Sequence, residues 1–271
     1  MSLPSPNSSS AALITGASSG IGAAIADEIA QRGHNLVLVA RRKDKLEQLG
    51  QELAQKHGIR AEAVSCDLAK PAARAKLPRQ LDALGLQVDI LVNNAGFATG
   101  GPFHASDPEL ELQQVRLDVE AVVALTSMFL PGMVEGRRGA VLNVASTAGM
   151  QPLPYSAGYS AAKAYVLTFS EAIHEEVGRR GVTVTALCPG PVSTDFWEIA
   201  GWQAAGQPFE QAVPKVAWVT AEVAARAGVE GLEAGRRVVV PGTAIRATML
   251  ASRYIPNFIK LPSIAAAMRR R

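Results

Sequence analysis

Tyr159 and Lys163 are the residues of this chain whose types and spacing most directly suggest chemistry. They lie four residues apart in YSAAKAYVLTFSEAIHEEV, a stretch from 159 to 177 with helical periodicity. A spacing of four is one helical turn, so the two side chains share one helix face. The pair is either an ordinary amphipathic pair, as many surface helices contain, or a proton donor with the cation that tunes its pKa. The spacing alone leaves both interpretations open.

The second interpretation has a definite chemical requirement. A free tyrosine has a pKa of about 10, so as a base at neutral pH it is almost wholly in the wrong form. Lowering that pKa by roughly 3 units takes about 4 kcal/mol of preferential stabilisation of the phenolate. An ammonium group one turn away, in a partly dry site, can supply stabilisation of this size.

The elements that would position these residues alternate along the chain as short apolar runs and longer helical patterns. Strands are predicted at 11–15, 35–40, 60–66, 88–93, 139–146, 181–188 and about 236–242, with helices at 21–33, 43–58, about 71–84, roughly 107–135 and 159–177. Strands that are apolar throughout are buried on both faces, as in a parallel sheet covered by helices. The fold class predicted is α/β, a doubly wound parallel sheet of about seven strands with helices on both faces.

Composition limits the function classes. The 271 residues are 48% hydrophobic and 19% charged, enough for a sizeable core, and no linker or repeat divides them. We therefore expect a disordered lead-in at 1–10 and one domain at 11–271. A net charge of +3 is too small to indicate nucleic-acid binding.

The remaining bulk features predict a cytoplasmic protein without a metal site. Cys66 and Cys188 lack metal or redox spacing and are expected to be buried free thiols in a reducing compartment, and the four histidines lack ligand spacing. The N-terminus lacks a secretory signal pattern. No integral membrane segment is expected, because the best candidate, 119–134, is interrupted by Glu120 and Pro131.

A glycine-rich stretch, TGASSGIG at 15–22, follows the first predicted strand and opens a helix. Gly16, Gly20 and Gly22 have the spacing G-x-x-x-G-x-G. Glycines there let the backbone approach a pyrophosphate at the positive end of the helix. The strand-to-helix context predicts a dinucleotide site.

The residues after the second strand indicate which dinucleotide is bound. NAD-binding proteins usually have an acid near this place, whereas this chain has Arg41, Arg42 and Lys43. Guanidinium groups match a 2′-phosphate, and the alternative of a solvated helix start places cations against the helix dipole. The cofactor predicted is NADP(H). Asp67, after the third strand, either accepts a hydrogen bond from the adenine amino group or caps the next helix.

Six motifs in order make the chain resemble the short-chain dehydrogenase/reductase family. They are TGASSGIG, DL at 67–68, NNAG at 93–96, Ser146, YSAAK at 159–163 and PGPVSTD at 189–195, and they extend over residues 11–195. The resemblance implies a Rossmann fold, usually of seven strands, in a homodimer or homotetramer.

The resemblance also implies residue roles. Tyr159 is the general acid or base, Ser146 holds the reacting oxygen, and Lys163 binds the nicotinamide ribose and lowers the tyrosine pKa. The cofactor residues implied by these motifs, together with those derived above, are Gly16, Ser18, Ser19, Gly20, Ile21, Gly22, Arg41, Arg42, Asp67, Leu68, Asn93, Ala95, Gly96, Tyr159, Lys163, Pro189, Gly190, Val192 and Thr194.

One position departs from the family pattern. The long helix after NNAG usually carries an asparagine that supports a kink and a proton relay to the lysine, and here Asp118 stands at that place. A carboxylate keeps the backbone part of that role but lacks the side-chain donor. Ionised Asp118 would stabilise the charge of Lys163; alternatively the enzyme is slow or its relay takes another route. We count Asp118 among the catalytic candidates, with an altered pH dependence as the hypothesis.

The substrate end is aromatic. The resemblance implies a variable substrate lid at about 195–220. This region contains Phe196, Trp197, Trp202, Phe209 and Trp218, which either line an apolar pocket or in part pack under the lid or at a subunit contact. The C-terminal extension, about 242–271, either covers the active site, joins subunits or lies on a membrane; we favour the first two.

The function predicted is NADP(H)-dependent interconversion of a carbonyl and an alcohol on an apolar or aromatic small molecule. The alternatives are a catalytically weak NADP(H) sensor, or an epimerase or dehydratase on the same fold.

Overall fold

Seven short strands pair in parallel and form one sheet. The computed structural model describes residues 3–194, 196, 203–204, 207–208, 218–252 and 254–268. Its strands are β1 (Ser10–Thr15), β2 (Asn35–Ala40), β3 (Ala61–Ser65), β4 (Gln87–Asn93), β5 (Gly139–Val144), β6 (Val182–Leu187), β7 (Gln203–Ala204), β8 (Gln207–Pro208) and β9 (Val238–Val239). The sheet order is β3-β2-β1-β4-β5-β6-β9, and β7 and β8 form a separate antiparallel pair. The predicted doubly wound sheet of about seven parallel strands is confirmed.

Helices cover both faces of this sheet, as predicted. They are α1 (Gly20–Ala30), α2 (Lys43–His57), α3 (Pro71–Arg74), α4 (Leu77–Leu84), α5 (Pro108–Val115), α6 (Ala121–Glu135), α7 (Ala157–Val177), α8 (Ala221–Glu233), α9 (Thr243–Ser252) and α10 (Asn257–Met268). Ile29 of α1 and Leu46 of α2 pack with α8 on one face, and Leu125 of α6 and Ile173 of α7 pack with α4 on the other. Because every strand of the sheet is parallel, the carboxyl ends of β1, β2, β4, β5 and β6 lie along one edge, where this class of fold binds ligands.

The long helix predicted at 107–135 changes its winding in the middle. Asp107 caps its start by accepting a hydrogen bond from the Glu109 amide at 2.9 Å, and Pro108 occupies the first turn. Residues Arg116–Glu120 then form a π-helical turn between α5 and α6. A π turn inserts extra backbone into a helix and is frequent at functional sites.

The continuous helix predicted at roughly 107–135 is confirmed, and Glu120 and Pro131 interrupt only its run of uncharged apolar residues. The helix continues through both residues, and by length and composition Pro108–Glu135 is one helix in the described residues that is able to cross a membrane. One third of its most apolar 18-residue window is buried inside the protein, and the core helix of a soluble protein satisfies the same criteria. The lack of an integral membrane segment therefore stays a prediction.

Two further boundaries differ from the sequence prediction. The helix predicted at 71–84 is two helices, α3 and α4, separated by Ala75 and Lys76. The expected disordered lead-in is instead attached to the sheet where it is described, since Leu3 packs on the core and the Asn7 carbonyl accepts a hydrogen bond from Asn35 at 3.0 Å. The physical reason is that apolar Leu3 and the polar groups of Asn7 find partners on the domain surface.

Candidate active site

The glycine-rich loop after β1 is tightly packed against the end of β4. Gly16 has a φ of +64°, and a Cβ there would lie 2.9 Å from the Cα of Ala95. A side chain at this position would therefore be strained in conformation and would also meet backbone atoms. Gly22 lies under the loop, where a Cβ would meet the Gly16 carbonyl. The glycines thus hold the backbone close to the sheet and leave its outer surface open.

Thr15 and Asn94 fasten this loop to the neighbouring strand. The Oγ1 of Thr15 accepts hydrogen bonds from the amides of Asn94 at 2.9 Å and Ala95 at 3.0 Å. In return, the Asn94 side-chain amide donates to the carbonyls of Thr15 at 2.9 Å and Gly16 at 3.3 Å. Sequence reasoning did not single out either residue, although both lie within the TGASSGIG and NNAG motifs.

Arg42 reaches back from the end of β2 to the glycine-rich loop. Its guanidinium donates hydrogen bonds to the hydroxyls of Ser18 at 2.8 Å and Ser19 at 3.2 Å. Arg41 is exposed beside it. Both guanidinium groups therefore lie at the mouth of the loop without a carboxylate partner in the described part of the chain, which fits a phosphate ligand.

A cleft of about 1680 Å³ runs along the carboxyl edge of the sheet. The predicted residues that line it are Gly16, Ser18, Ser19, Gly20, Ile21, Arg41, Arg42, Asp67, Leu68, Ala95, Gly96, Ser146, Tyr159, Lys163, Pro189, Gly190, Val192 and Thr194. Asp67 accepts a hydrogen bond from the Ala69 amide at 3.2 Å, so it caps its own turn at the rim. The size and the lining of the cleft fit an extended dinucleotide.

The assignment of Asn93 to cofactor binding is not supported by its position. Its side chain is buried and donates hydrogen bonds to Thr126 at 3.2 Å and to Asn143 at 2.9 Å, inside the protein. Because side chains alternate across a strand, Asn93 at the end of β4 points into the core and the next residue, Asn94, lines the cleft. Asn93 ties β4 to α6 and β5.

Ser146, Tyr159 and Lys163 meet at the inner end of the cleft, and all three are buried. Ser146 follows β5, and its side chain forms a hydrogen bond with Tyr159. The Lys163 ammonium lies 5.7 Å from the centre of the Tyr159 ring and donates a hydrogen bond to the Val144 carbonyl at 3.1 Å. A hydroxyl, a phenol and an ammonium thus face one space, as the predicted acid–base role requires.

Gly149 allows this arrangement. The short 3₁₀ turn Thr147–Met150, which follows Ser146, rests on α7 so closely that a Cβ at Gly149 would lie 2.5 Å from the Lys163 carbonyl carbon and 2.6 Å from its oxygen. Backbone atoms of a helix cannot move aside easily, so the close approach needs a residue without a side chain. None of the sequence motifs includes Gly149, which lies between Ser146 and Tyr159.

Asp118 contacts Lys163 directly. Its Oδ2 lies 3.2 Å from the Lys163 ammonium, its Oδ1 accepts a hydrogen bond from the Phe97 amide at 3.0 Å, and its side chain is 0% exposed. A Cβ at Gly96 would lie 2.8 Å from Oδ2, so the glycine makes room for the carboxylate. The ammonium is within ion-pair distance of Oδ2, and a carboxylate oxygen can accept two hydrogen bonds, so Oδ2 keeps a further acceptor position.

Burial and the neighbouring charges have opposite effects on the pKa values of Asp118 and Lys163. Burial raises the pKa of Asp118, and the neighbouring ammonium only partly offsets this. Burial lowers the pKa of Lys163, yet the combined effect of Asp118 and Tyr159 raises it above its ordinary value. Lys163 is therefore held in its charged form.

The expected net lowering of the Tyr159 pKa is not found. Burial, the largest effect, raises that pKa, while Lys163 and the hydrogen bond with Ser146 lower it. Lys163 acts in the predicted direction, but the phenol is so completely enclosed that desolvation has the larger effect. Tyr159 is consequently a protonated phenol at neutral pH in this structure.

Apolar side chains from separate segments surround the outer face of Tyr159. The Phe196 ring is 5.9 Å from it, centre to centre, and Leu153, Trp218 and Met268 belong to the same cluster. Two of the predicted lid aromatics, Phe196 and Trp218, therefore lie at the active site. Trp197, Trp202 and Phe209 lie outside the described residues.

The two cysteines are buried and free, as predicted. Burial raises the pKa of the Cys188 thiol to about 12, and burial raises that of Cys66 as well. The described residues contain no group of three or more histidines, cysteines and carboxylates close enough to hold a metal ion.

Comparisons with known proteins agree with this geometry. A family model described as short chain dehydrogenase matches residues 10–203. The human very-long-chain 3-oxoacyl-CoA reductase is 36% identical over 192 residues, which are 69% of this chain and 61% of that protein. The chain thus spans about three fifths of the length of the curated relatives that it matches first.

Two solved structures extend the comparison to nearly the whole chain. The short-chain dehydrogenase from Sphingobium yanoikuyae, in complex with NADPH, has a TM-score of 0.78 and 32% identity and covers 94% of this chain and 95% of its own. The L-sorbose reductase from Gluconobacter frateurii, complexed with NADPH and L-sorbose, has a TM-score of 0.75 and 29% identity over 89% of this chain and 98% of its own. This chain therefore belongs to the short-chain dehydrogenase/reductase family.

Proposed function

We propose that the protein is an NADP(H)-dependent reductase of apolar ketones or aldehydes, acting in reverse on the alcohols. The observation that carries the proposal is the meeting of Ser146, Tyr159 and Lys163 at the inner end of a cleft whose outer end has the glycine-rich loop and Arg42. The matched relatives bear names of oxidoreductases that act on carbonyls or alcohols.

NADP(H) is the cofactor that the cleft favours. The loop glycines leave the backbone accessible, the start of α1 provides a positive helix end, and Arg41 and Arg42 are placed to bind a 2′-phosphate. The structural relatives bound to NADPH support the same choice. When bound, this dinucleotide supplies the hydride.

Side chains of the protein supply the proton and position the carbonyl group of the substrate. Ser146 and Tyr159 hold the carbonyl oxygen between their hydroxyls, and Tyr159 Oη gives its proton to that oxygen as the carbonyl carbon is reduced. The raised pKa of Tyr159 keeps the phenol protonated at neutral pH, which is the form that reduction requires. Alcohol oxidation needs the phenolate, so it should be favoured at higher pH.

Asp118 is a positioning residue in this scheme. It holds the Lys163 ammonium by a buried ion pair and keeps it charged beside the phenol. The further acceptor position on Oδ2 suits a water molecule that would pass a proton between Lys163 and solvent, in place of the relay for which the family uses asparagine.

An apolar substrate is favoured by the cluster beside Tyr159. Leu153, Phe196, Trp218 and Met268 offer hydrophobic and aromatic surface to whatever group flanks the carbonyl. Burying such a group against them stabilises binding by about 25 cal/mol per Å² of apolar surface removed from water.

A cytoplasmic homodimer or homotetramer is part of the proposal. Leu112 and Val115 of α5 and Tyr165 of α7 are large apolar side chains exposed on the single chain, which supports a subunit contact through these helices. Light scattering coupled to size exclusion gives the oligomeric mass directly.

The second candidate is a catalytically weak NADP(H) sensor, and Asp118 is the observation that favours it. A carboxylate where the family has an asparagine leaves the relay without its side-chain donor. Tight NADPH binding without turnover of any substrate would favour the sensor. An epimerase or dehydratase would convert its substrate without net consumption of NADPH.

The test measures NADPH consumption with a panel of apolar and aromatic ketones and aldehydes. We expect turnover by the wild type, and loss of turnover with retained NADPH binding in Tyr159→Phe. Tyr165→Phe is the matched control, since it removes the same hydroxyl from an exposed position on the same helix. Equal activities of the two variants would refute the role of Tyr159.

A further inference from the structure

The last thirty residues of the sequence, 242–271, differ in charge from the rest of the chain. They contain six of its 27 lysines and arginines and none of its 24 aspartates and glutamates. Residues 1–241 are left with 21 basic and 24 acidic side chains, so the overall charge of +3 combines +6 in this segment with −3 elsewhere. We name residues 242–271 the C-terminal arm.

The arm also exposes large apolar side chains. Where α9 is followed by α10, five of them lie within ten residues, namely Leu250, Tyr254, Ile255, Phe258 and Ile259. Tyr254 is 88% exposed and Phe258 is 79% exposed. We name residues 250–259 the elbow. It holds five of the eleven exposed large hydrophobic residues in the described part of the chain, and a concentrated apolar patch of this kind marks an interaction surface.

The cations of the arm that the structure describes are not neutralised within the chain. Arg246 precedes the elbow on α9 and Lys260 follows it on α10, and neither forms an ion pair with any carboxylate among the described residues. Lys260 donates a hydrogen bond to the Ser252 carbonyl at 3.2 Å, which places its ammonium back over the elbow. Apolar side chains and unpaired cations therefore share this surface.

We propose that the elbow docks on an anionic lipid bilayer. Its apolar side chains would enter the boundary between headgroups and acyl chains, while Arg246 and Lys260 would contact anionic headgroups. Tyrosine and phenylalanine are side chains that suit this boundary.

Charge and polarity favour a bilayer over other partners. A second copy of this chain would bring another arm of charge +6 against the first, and like charges repel. A nucleic acid would match the cations but would leave five large apolar side chains against a polar backbone. A bilayer carrying anionic lipid satisfies both properties of the surface.

Docking would bring the substrate end of the cleft close to the lipid. The far end of α10 reaches the active site, where Met268 packs in the cluster that contains Tyr159 and Trp218. The arm thus joins the lipid-facing elbow to the apolar surroundings of the reacting group. The docking itself does not depend on the proposed reaction, because it concerns a separate surface.

The test is flotation of the full chain with vesicles of phosphatidylcholine, with or without phosphatidylserine. We expect tight binding only to vesicles with phosphatidylserine. Raising NaCl from about 0.1 M to about 1 M shortens the Debye length from about 10 Å to about 3 Å and should release the protein. Arg246→Gln with Lys260→Gln should weaken binding by about tenfold or more.

Two apolar double variants separate the elbow from general surface effects. Tyr254→Ser with Phe258→Ser should weaken vesicle binding by at least about tenfold. Phe103→Ser with Val223→Ser removes exposed apolar side chains elsewhere and should bind like the wild type. Circular dichroism melting and NADPH binding check that each variant is folded.

Three results would overturn the proposal: no flotation with anionic vesicles, binding that is independent of salt, or an elbow variant that floats like the wild type. If the elbow variant instead has a lower oligomeric mass by light scattering and unchanged vesicle binding, the elbow is a subunit interface and the proposal is wrong.

Discussion

The Asp118 carboxylate lies 3.2 Å from the Lys163 ammonium, and both side chains are buried. A buried pair of this kind fixes the charge of each member, because removal of either leaves the other unpaired in a medium of low polarity. Lys163 in turn lies beside Tyr159, so the charge at position 118 acts on the proton of the phenol through one intermediate group.

Asp118→Asn is therefore expected to change the pH dependence of reduction. Asp118 raises the pKa values of both Lys163 and Tyr159, so its replacement by asparagine lowers both. Reduction needs both groups protonated, and the rate falls as the pH rises through their pKa values. The alkaline limb of the kcat profile should therefore move to lower pH in the variant.

The control for this experiment is Asp89→Asn. Asp89 is also a buried carboxylate in an ion pair, 2.7 Å from Arg138, but Arg138 does not line the cleft, whereas Lys163, the partner of Asp118, does. Its replacement should lower stability and leave the shape of the pH profile unchanged. Identical profiles for the wild type and Asp118→Asn would refute the role of Asp118.

Gly149→Ala should lower both stability and kcat. The added Cβ would meet the Lys163 backbone at 2.5 Å, so the turn after Ser146 would have to move away from α7. Overpacking of this kind costs about 1–3 kcal/mol of unfolding free energy, and the shift separates Ser146 from Tyr159. Thermal unfolding and steady-state kinetics measure the two effects.

Gly132→Ala is the matched control for Gly149→Ala. Gly132 lies within α6 on the surface, and a Cβ there would have no neighbour within 4 Å. Alanine in a helix interior is favoured over glycine by about 0.5–1 kcal/mol, so this variant should melt at a slightly higher temperature with unchanged kcat. A Gly149→Ala protein that behaves in the same way would contradict the packing argument.

Arg41→Ala combined with Arg42→Ala should change cofactor preference. Charge-assisted hydrogen bonds contribute about 1.5–3 kcal/mol each, so loss of the guanidinium groups should weaken NADPH binding by at least about tenfold. NADH has no 2′-phosphate and should bind with nearly unchanged affinity. Fluorescence titration with both cofactors measures the difference.

Lys43→Ala serves as the control for the arginine variant, since Lys43 is exposed and already paired with Glu47 at 3.2 Å. Lys43→Ala should change the affinities for NADPH and for NADH by no more than a small factor. An equal loss of NADPH and NADH binding in the double arginine variant would refute recognition of the 2′-phosphate by these residues.

Cys66 and Cys188 should resist alkylation in the native protein. Both thiols are buried, and the pKa of Cys188 is raised to about 12, so almost no thiolate forms at neutral pH. Iodoacetamide at neutral pH should leave both unmodified by mass spectrometry, while unfolding in guanidinium should expose both to labelling. Fast modification of the folded protein would contradict their burial.

The sequence predicts the site well where the fold brings the ends of strands together. Ser146 follows β5 and the glycine-rich loop follows β1, and a parallel sheet places both ends at one edge. The order of strands and helices therefore determines that these residues meet the helix with Tyr159 and Lys163. The apolar strand patterns carry this information because each strand is buried on both faces.

Two features of the site that the sequence did not predict depend on side-chain direction and on tertiary packing. Asn93 and Asn94 are adjacent, and the side-chain direction of the last residue of β4 decides which of them lines the cleft. The motif NNAG does not specify that direction. The direction of the Tyr159 pKa depends on how completely Phe196 and its neighbours enclose the phenol, which is a property of tertiary packing.

The π turn at Arg116–Glu120 makes the contact between Asp118 and Lys163 sensitive to deletion of a residue. Successive residues of a helix are rotated by about 100° around its axis. Deleting one residue from the turn would therefore restore regular α-helical winding and rotate α5 relative to α6. Residues on the two sides of the deletion would then face different directions, so the turn would no longer hold Asp118 in its present position beside Lys163. The contact between them can thus be lost in evolution by a single-codon deletion, and a search for substitutions alone would not detect such a change.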